Sequence, residues 1–449
     1  MVVSAVAVVG LVVGLFSLSW DLTVGLVGPI AVLLMVVAVT TGAVRSLSRS
    51  SDIPNMTVIL CLALGAKLMG TLARYVVAKD VYGSGDAVLY FTTGTTLGAR
   101  IHQGAWTLAG TPLGQRPAGT QSVPWVLGTL FSVTGSSQLI GYLMFSWIGW
   151  LGLVFFYKAF RIFFPDVSSK GFALLLFFLP SLVYWPSAIG KEAMMLFLLG
   201  LATLGVSRLL TGQRMGRGLV YVVLAALGIS WIRPHVALLL LGATVVALLV
   251  QSPRTGRAKN SAMRVLVLAL LVPALLISMT RVDNLFGGAN DRGGNVGSVL
   301  AETTRRTTTG GSSFEVQPVR SPADLPKATV SVLLRPYPWQ ASSGPALIAS
   351  LEGVLLLLLV ILRWRDLARV PQLAWRKTGV AFGLTYLLLF IVAFSNIGNA
   401  GILARQRTQV MPFLLIAVCA AASPHRSKTD DDDGDDEAAP EVITAGATA

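Results

Sequence analysis

The chain alternates long apolar runs with short polar stretches, and the runs have the length of helices that cross a bilayer. They fall at 1–19, 24–45, 54–78, 137–163, 171–187, 191–210, 218–232, 235–250, 265–280, 344–362, 378–395 and 401–421. On a criterion of ~20 apolar residues per crossing, the predicted class is all-α, a polytopic transmembrane bundle of about 12 helices with external loops. The run at 124–134, PWVLGTLFSVT, is too short to cross and is expected to be interfacial or re-entrant. The first run has no basic segment before it and passes straight into the second, so it is expected to be a retained span and not a cleaved leader. One multi-pass domain is expected over 1–421, with external segments at 79–123 and 281–343. The acidic tail at 422–449, which holds TDDDDGDDEAAPE, is expected to be disordered, cytoplasmic and solvated.

Composition sharpens this picture. The chain is 54% hydrophobic and 12% charged, with a mean hydropathy of +0.71, whereas soluble domains carry about 25% charged residues. The net charge of +14 is not the footprint of a nucleic-acid binder, because no basic helix or aromatic–basic interleave accompanies it. The basic residues instead gather between apolar runs, in RSLSRS (45–50), YKAFRIFF (157–164), SRLLTGQRMGRG (207–218), SPRTGRAKNSAMR (252–264) and RWRDLARVPQLAWRK (363–377). If the spans alternate, all of these clusters share one side, and the positive-inside rule makes that side the cytoplasm. A cell-membrane protein with both termini cytoplasmic is expected. The two cysteines, Cys61 and Cys419, lie inside apolar runs and offer neither a disulfide framework nor a thiolate metal site. No P-loop, dinucleotide-binding glycine fingerprint or HExxH is present, which argues against a nucleotide-driven pump.

The chemically unusual residues then fall on the outer side. In GSGDAVLYF, Asp86 stands where a loop enters a helix; it reads either as a helix cap or as a carboxylate at a cavity mouth. There it can take a proton from an acceptor hydroxyl or hold a divalent metal. Asp80 is a possible companion. In PSLVYWPSAIGKEAMMLFLLG, Lys191 and Glu192 open a span. Glu192 suits the helix dipole, while Lys191 either snorkels to the interface or meets a phosphate at the helix N-terminus. In SWIRPHVALLLL, Arg233 can offer a planar fork to a phosphate, and His235 is a structural hydrogen-bonder or an accessory base. Arg335 in LLRPYPWQ can reach a lipid phosphate or stack on aromatics, with Tyr337 and Trp339 as interfacial anchors. In NAGILARQRTQVMP, Arg405 and Arg407 enter the last span near its outer face. Two positions apart on a helix, they point ~200° from one another; Arg405 is expected to face the bundle and Arg407 the interface or a neighbouring helix.

GDAVLYF in the first large external segment, the helix-opening SAIGKE and GNAGILARQRTQVMP in the last span resemble the bacterial polytopic glycosyltransferases, both the GT-C enzymes and the O-antigen-polymerase-like proteins. The resemblance implies an outward-facing active site and a polyprenyl-phosphate or polyprenyl-diphosphate glycolipid as donor. On the GT-C pattern Asp86 matches the acidic residue central to the chemistry; on the polymerase pattern Arg233 and Arg405 match the arginines that grip the lipid diphosphate. The chain departs from the commonest GT-C arrangement because Asp80 and Asp86 are not adjacent. The expectation is a membrane glycosyltransferase or glycan polymerase with Asp86 and Arg405 catalytic. Lys191, Arg233, Arg335 and Arg407 would bind phosphate, Asp80, Glu192 and His235 would be accessory, and a divalent metal at Asp86 is the one cofactor this reading admits. The rivals are a transporter or flippase for a lipid-linked or anionic solute and a cell-envelope scaffold.

Overall fold

A computed structural model describes residues 26–82, 85–111, 113, 118–250, 269 and 312–421. The described residues form an all-helical assembly of 17 α-helices with no strand. In chain order these begin with α1 (Val27–Ser50), α2 (Met56–Val76), α3 (Asp86–His102), α4 (Ala118–Thr134) and α5 (Gln138–Phe163). They continue with α6 (Lys170–Phe178), α7 (Pro180–Tyr184), α8 (Lys191–Thr211), α9 (Met215–Ile232) and α10 (Pro234–Val250). After the long polar segment come α11 (Leu325–Leu334), α12 (Gly344–Leu362), α13 (Trp364–Leu367) and α14 (Val370–Arg376). The last three are α15 (Thr378–Phe394), α16 (Ala400–Arg407) and α17 (Met411–Ala421).

Six of the described helices are long and apolar enough to cross a membrane, namely α1, α2, α5, α8, α9 and α12. Three shorter apolar helices, α10, α15 and α17, join them. The expected count of about 12 spans therefore resolves into a coarser statement, a membrane-type helical bundle. The runs at 1–19 and 265–280, residues 281–311 and the acidic tail lie outside the described residues.

Three stretches do not form simple spans. The run at 171–187 is broken, as its prolines Pro180 and Pro186 lead one to expect: it stops at Leu179, and Pro180 opens the five-residue α7. Proline is tolerated at a first helical position because no partner is required for the missing N–H there. The run at 401–421 likewise splits into α16 and α17 around Thr408–Val410, with Pro412 early in the second piece. The stretch at 124–134 is the C-terminal part of α4, a 17-residue helix that packs on α3. Its Gly128 sits against the Leu97 side chain, and Gly94 of α3 against Leu127.

Packing explains why these helices hold together without a strong hydrophobic drive between them: small residues let backbones approach. At the α5–α8 crossing, a Cβ added to Gly152 would lie 2.6 Å from the Leu196 carbonyl oxygen, and one at Gly200 would overlap the Gly152 carbonyl. Around this seam Trp150, Tyr157, Phe160 and Phe172 are fully buried. By contrast α9 and α12 turn Leu224, Leu227, Leu351, Leu355 and Leu362 outward, the arrangement expected of a surface solvated by lipid.

The helices run so that the described basic clusters gather at one end. There Asp52, after α1, accepts from the amide and hydroxyl of Ser169 and pairs with Arg161 at 3.4 Å. Lys377 lies over the Phe164 ring at 5.9 Å. The opposite ends of α2, α8, α9 and α10 carry the site described next.

Candidate functional site

Where the C-terminal end of α2, the Trp185–Gly190 segment, the start of α8, the α9–α10 junction and α16 meet, they enclose a cavity of about 300 Å³. Arg74, Lys191, Arg233 and Arg405 line it together with the carboxylates of Asp86 and Glu192, a formal excess of two positive charges. The Trp185–Gly190 segment has no helix of its own. Irregular backbone at such a depth is tolerated where it lines a cavity.

Five residues singled out in sequence, Asp86, Lys191, Glu192, Arg233 and Arg405, thus converge from four separate stretches. Lys191 opens α8 after Gly190, and its ammonium donates to the Thr120 hydroxyl at 3.1 Å. Arg233 caps the end of α9 and divides its guanidinium between Gln406, a direct hydrogen bond, and Glu192, an ion pair at 3.4 Å. Glu192, in the first turn of α8, is where a carboxylate complements the helix dipole. Asp86 lies in the first turn of α3, with Gly85 as the N-cap residue, and makes no capping hydrogen bond. Its side chain is 72% exposed and, among the described residues, its ionic partner is Arg405 at 3.9 Å. Such an exposed, long contact is worth little on its own, so both groups are available to a guest.

The other predicted residues go elsewhere. Arg407 is not a phosphate ligand in this arrangement: it is wholly buried, pairs with buried Glu352 at 3.4 Å, and donates to the carbonyls of Leu333, Arg335 and Ala349. The two arginines diverge as the helical period requires, but Arg407 is the one sealed in the bundle and Arg405 the one facing the cavity. Arg335 is separate too. It lies over the Phe314 ring at 4.1 Å and the Tyr337 ring at 5.0 Å, on a shallow depression shared with Gln317 and Lys327. His235 packs its ring 6.0 Å from Phe394, a structural contact. Asp80 falls in a π-helical turn, Val77–Tyr82, beyond α2; its side chain is outside the described residues.

Three cavity residues were not anticipated. Trp185 lines the cavity with the guanidinium of Arg74 at 5.3 Å and that of Arg405 at 5.6 Å from its ring. Arg74 was hidden inside an apolar run; an ionisable residue within a span is by default a functional candidate, and that signal was there to use. Tyr90, one turn into α3, also lines the cavity. Burial raises its phenol well above the ordinary tyrosine value, and the Asp86 and Glu192 carboxylates add to this, so it stays a hydrogen-bond donor at neutral pH.

Beneath the cavity a polar group sits deep in the bundle. Lys67, on the same α2 face as Arg74 and two turns away (~10 Å), is fully buried and donates to Ser187 at 3.3 Å. Ser146 of α5 also donates to Ser187, at 3.2 Å. Below Lys67 on α2 come buried Leu64 and Leu60.

Among the described residues no group of three or more His, Cys, Asp or Glu side chains converges to hold a metal ion. Asp86 and Glu192 are, among the described residues, the carboxylates that reach the cavity. Fold and site together define the class: a helical membrane protein with a cation-rich pocket at one end of its bundle. No protein-family model matches the chain, and neither a curated protein nor a solved structure does.

Proposed function

We propose that the protein is an integral membrane glycosyltransferase or glycan polymerase that takes a sugar from a polyprenyl-phosphate-linked donor at the outer face of the membrane. One observation carries the reading: Arg74, Lys191, Arg233 and Arg405 meet two carboxylates in one cavity at the end of the bundle away from the described basic clusters. The positive-inside rule makes the basic end cytoplasmic and this cavity external.

The chemistry follows from the charges. An acceptor hydroxyl attacks the anomeric carbon of the donor and the bond from that carbon to the phosphate oxygen breaks. The electron pair leaves with the phosphate, where cations held in a water-poor site stabilise it. The hydroxyl proton passes to Asp86, the exposed carboxylate at the mouth, acting as general base. Glu192 is bound to Arg233 and fixes that guanidinium's orientation. No nucleotide is required, because the donor arrives already activated on its lipid.

A carrier for the same kind of solute would need a polar route onward to the basic end. Along α2 the buried residues below Lys67 include Leu64 and Leu60, and the deeper buried hydroxyls of Thr203, Ser207 and Thr244 each donate to a carbonyl of their own helix, which supports the enzyme over the carrier. The test is Asp86→Asn and Arg405→Gln, each checked for membrane expression. Both are expected to lose the surface glycan, and unchanged glycan in both sinks the mechanism.

A further inference from the structure

The cavity's cations are not equivalent. Arg233 is divided between Glu192 and Gln406, Arg405 faces Asp86, and Lys191 donates to Thr120. Arg74, in the last turn of α2, is different: among the described residues it makes no hydrogen bond and no ion pair. Its contacts are the Tyr184 and Trp185 rings, 5.1 and 5.3 Å from the guanidinium carbon, and its buried Nε has no partner. Stacking of this kind fixes a guanidinium plane without using its N–H groups.

The surroundings repeat the pattern. The hydroxyls of Tyr142 and Tyr184 are also buried without a partner. Tyr142 packs edge-on against Tyr75, the residue after Arg74, at 5.6 Å, and lies within electrostatic reach of both Arg74 and Tyr184. Of these three groups Arg74 is the one that lines the cavity, where the described residues carry an excess of two positive charges. Leaving such a group unsatisfied is costly, and a native site normally pairs it.

We propose that Arg74 is the principal oxyanion anchor of the cavity and receives the phosphoryl oxygens of its ligand. Arg405, the second guanidinium over Trp185, closes on the same group from α16. The ligand chemistry is a phosphate oxyanion, whether on a lipid or free. The assignment rests on the glycosyl-transfer reading only for the source of that phosphate.

The experiment is calorimetric titration of the full chain, purified in detergent micelles, with farnesyl phosphate, inorganic phosphate and farnesol. Farnesyl phosphate is expected to bind at least ~10-fold more tightly than farnesol. Arg74→Gln is expected to weaken it ~10–100-fold, the size of a charge-assisted hydrogen bond. Arg74→Lys, which keeps the charge but loses the planar fork, should fall between. Trp185→Leu removes the ring that holds the guanidinium plane and keeps the charge; it should cost several-fold, so with Arg74→Lys it decides the matter if Arg74→Gln does not fold. Arg365→Gln at the basic end should change nothing. Inorganic phosphate binding as tightly as farnesyl phosphate, and as dependent on Arg74, would support the anchor and name free phosphate as the source. The anchor is overturned if farnesol binds as well as farnesyl phosphate, or if the Arg74 and Trp185 variants keep affinity within about twofold. A normal surface glycan in Asp86→Asn and Arg405→Gln, with Arg74-dependent binding intact, would sink the transfer reading and leave the anchor standing.

Discussion

Removing the Arg407 charge should unfold this protein more readily than any single change in the cavity. Both members of the Arg407–Glu352 pair are 0% exposed and 3.4 Å apart. The guanidinium reaches the carbonyls of Leu333 at 2.7 Å, Ala349 at 3.0 Å and Arg335 at 3.2 Å, so it ties α11, α12 and α16 together. Glu352 in turn accepts from the Ser181 amide of α7 at 2.5 Å. Arg407→Met leaves a carboxylate sealed in the bundle with one amide for support, at a cost of ~3–5 kcal/mol. Glu352→Leu strands the guanidinium more mildly, because three carbonyls still face it. The double variant removes both charges, and replacing a whole buried pair by apolar residues is commonly close to neutral. Arg407 Nε has no hydrogen-bond partner, so the native pair is itself imperfectly satisfied and leaves room for that recovery. A double-mutant cycle should therefore give a coupling of about 2–4 kcal/mol, with the double variant more stable than Arg407→Met alone. The measurement is reversible denaturation in mixed micelles, followed by tryptophan emission and size exclusion. An Arg407→Met variant within ~0.5 kcal/mol of the parent, or singles that simply add, would refute the reasoning.

Other sites give independent tests. Gly200→Val places a branched side chain onto the Gly152 backbone at the α5–α8 seam; overpacking of this kind costs ~1–3 kcal/mol or more, read as a lower thermal midpoint in detergent. Lys67 is buried and, among the described residues, has a serine and no carboxylate for company. Lys67→Met should raise the thermal midpoint, because removing a poorly compensated internal charge outweighs losing one hydrogen bond; a lower midpoint would contradict this. Partial burial opposes ionisation of Asp52, but the Ser169 hydroxyl and amide and the Arg161 guanidinium outweigh it and hold the carboxyl below the ordinary range. A depressed folded-state pKa contributes stability that is present above the unfolded value, ~3.9, and is lost as pH falls through the folded one. The thermal midpoint should thus drop below pH ~4 more steeply in the parent than in Asp52→Asn, and equal slopes would count against the linkage.

The apolar pattern by itself determined that the protein is an all-helical membrane chain, because crossing lipid demands long segments whose backbone bonds are internal. It also marked Asp86, Lys191, Glu192, Arg233 and Arg405, since charged residues at the ends of apolar runs stand out against their neighbours. Sequence could not say that these residues share a cavity: they lie up to some three hundred positions apart, and only helix packing closes that distance. Nor could it rank Arg405 against Arg407. Helical period dictates that the two diverge, but which one faces the cavity depends on where Glu352 and the ends of α11 and α12 are brought to rest. The break at Thr408–Val410 was likewise beyond the hydropathy pattern, which averages over a turn and sees a continuous apolar run, whereas Pro180 and Pro186 announce the break at Leu179–Pro180. Arg74 shows the limit most clearly. In sequence it is one charge near the end of a span; tertiary structure supplies the Tyr184 and Trp185 rings that hold its plane and leaves its N–H groups free to donate.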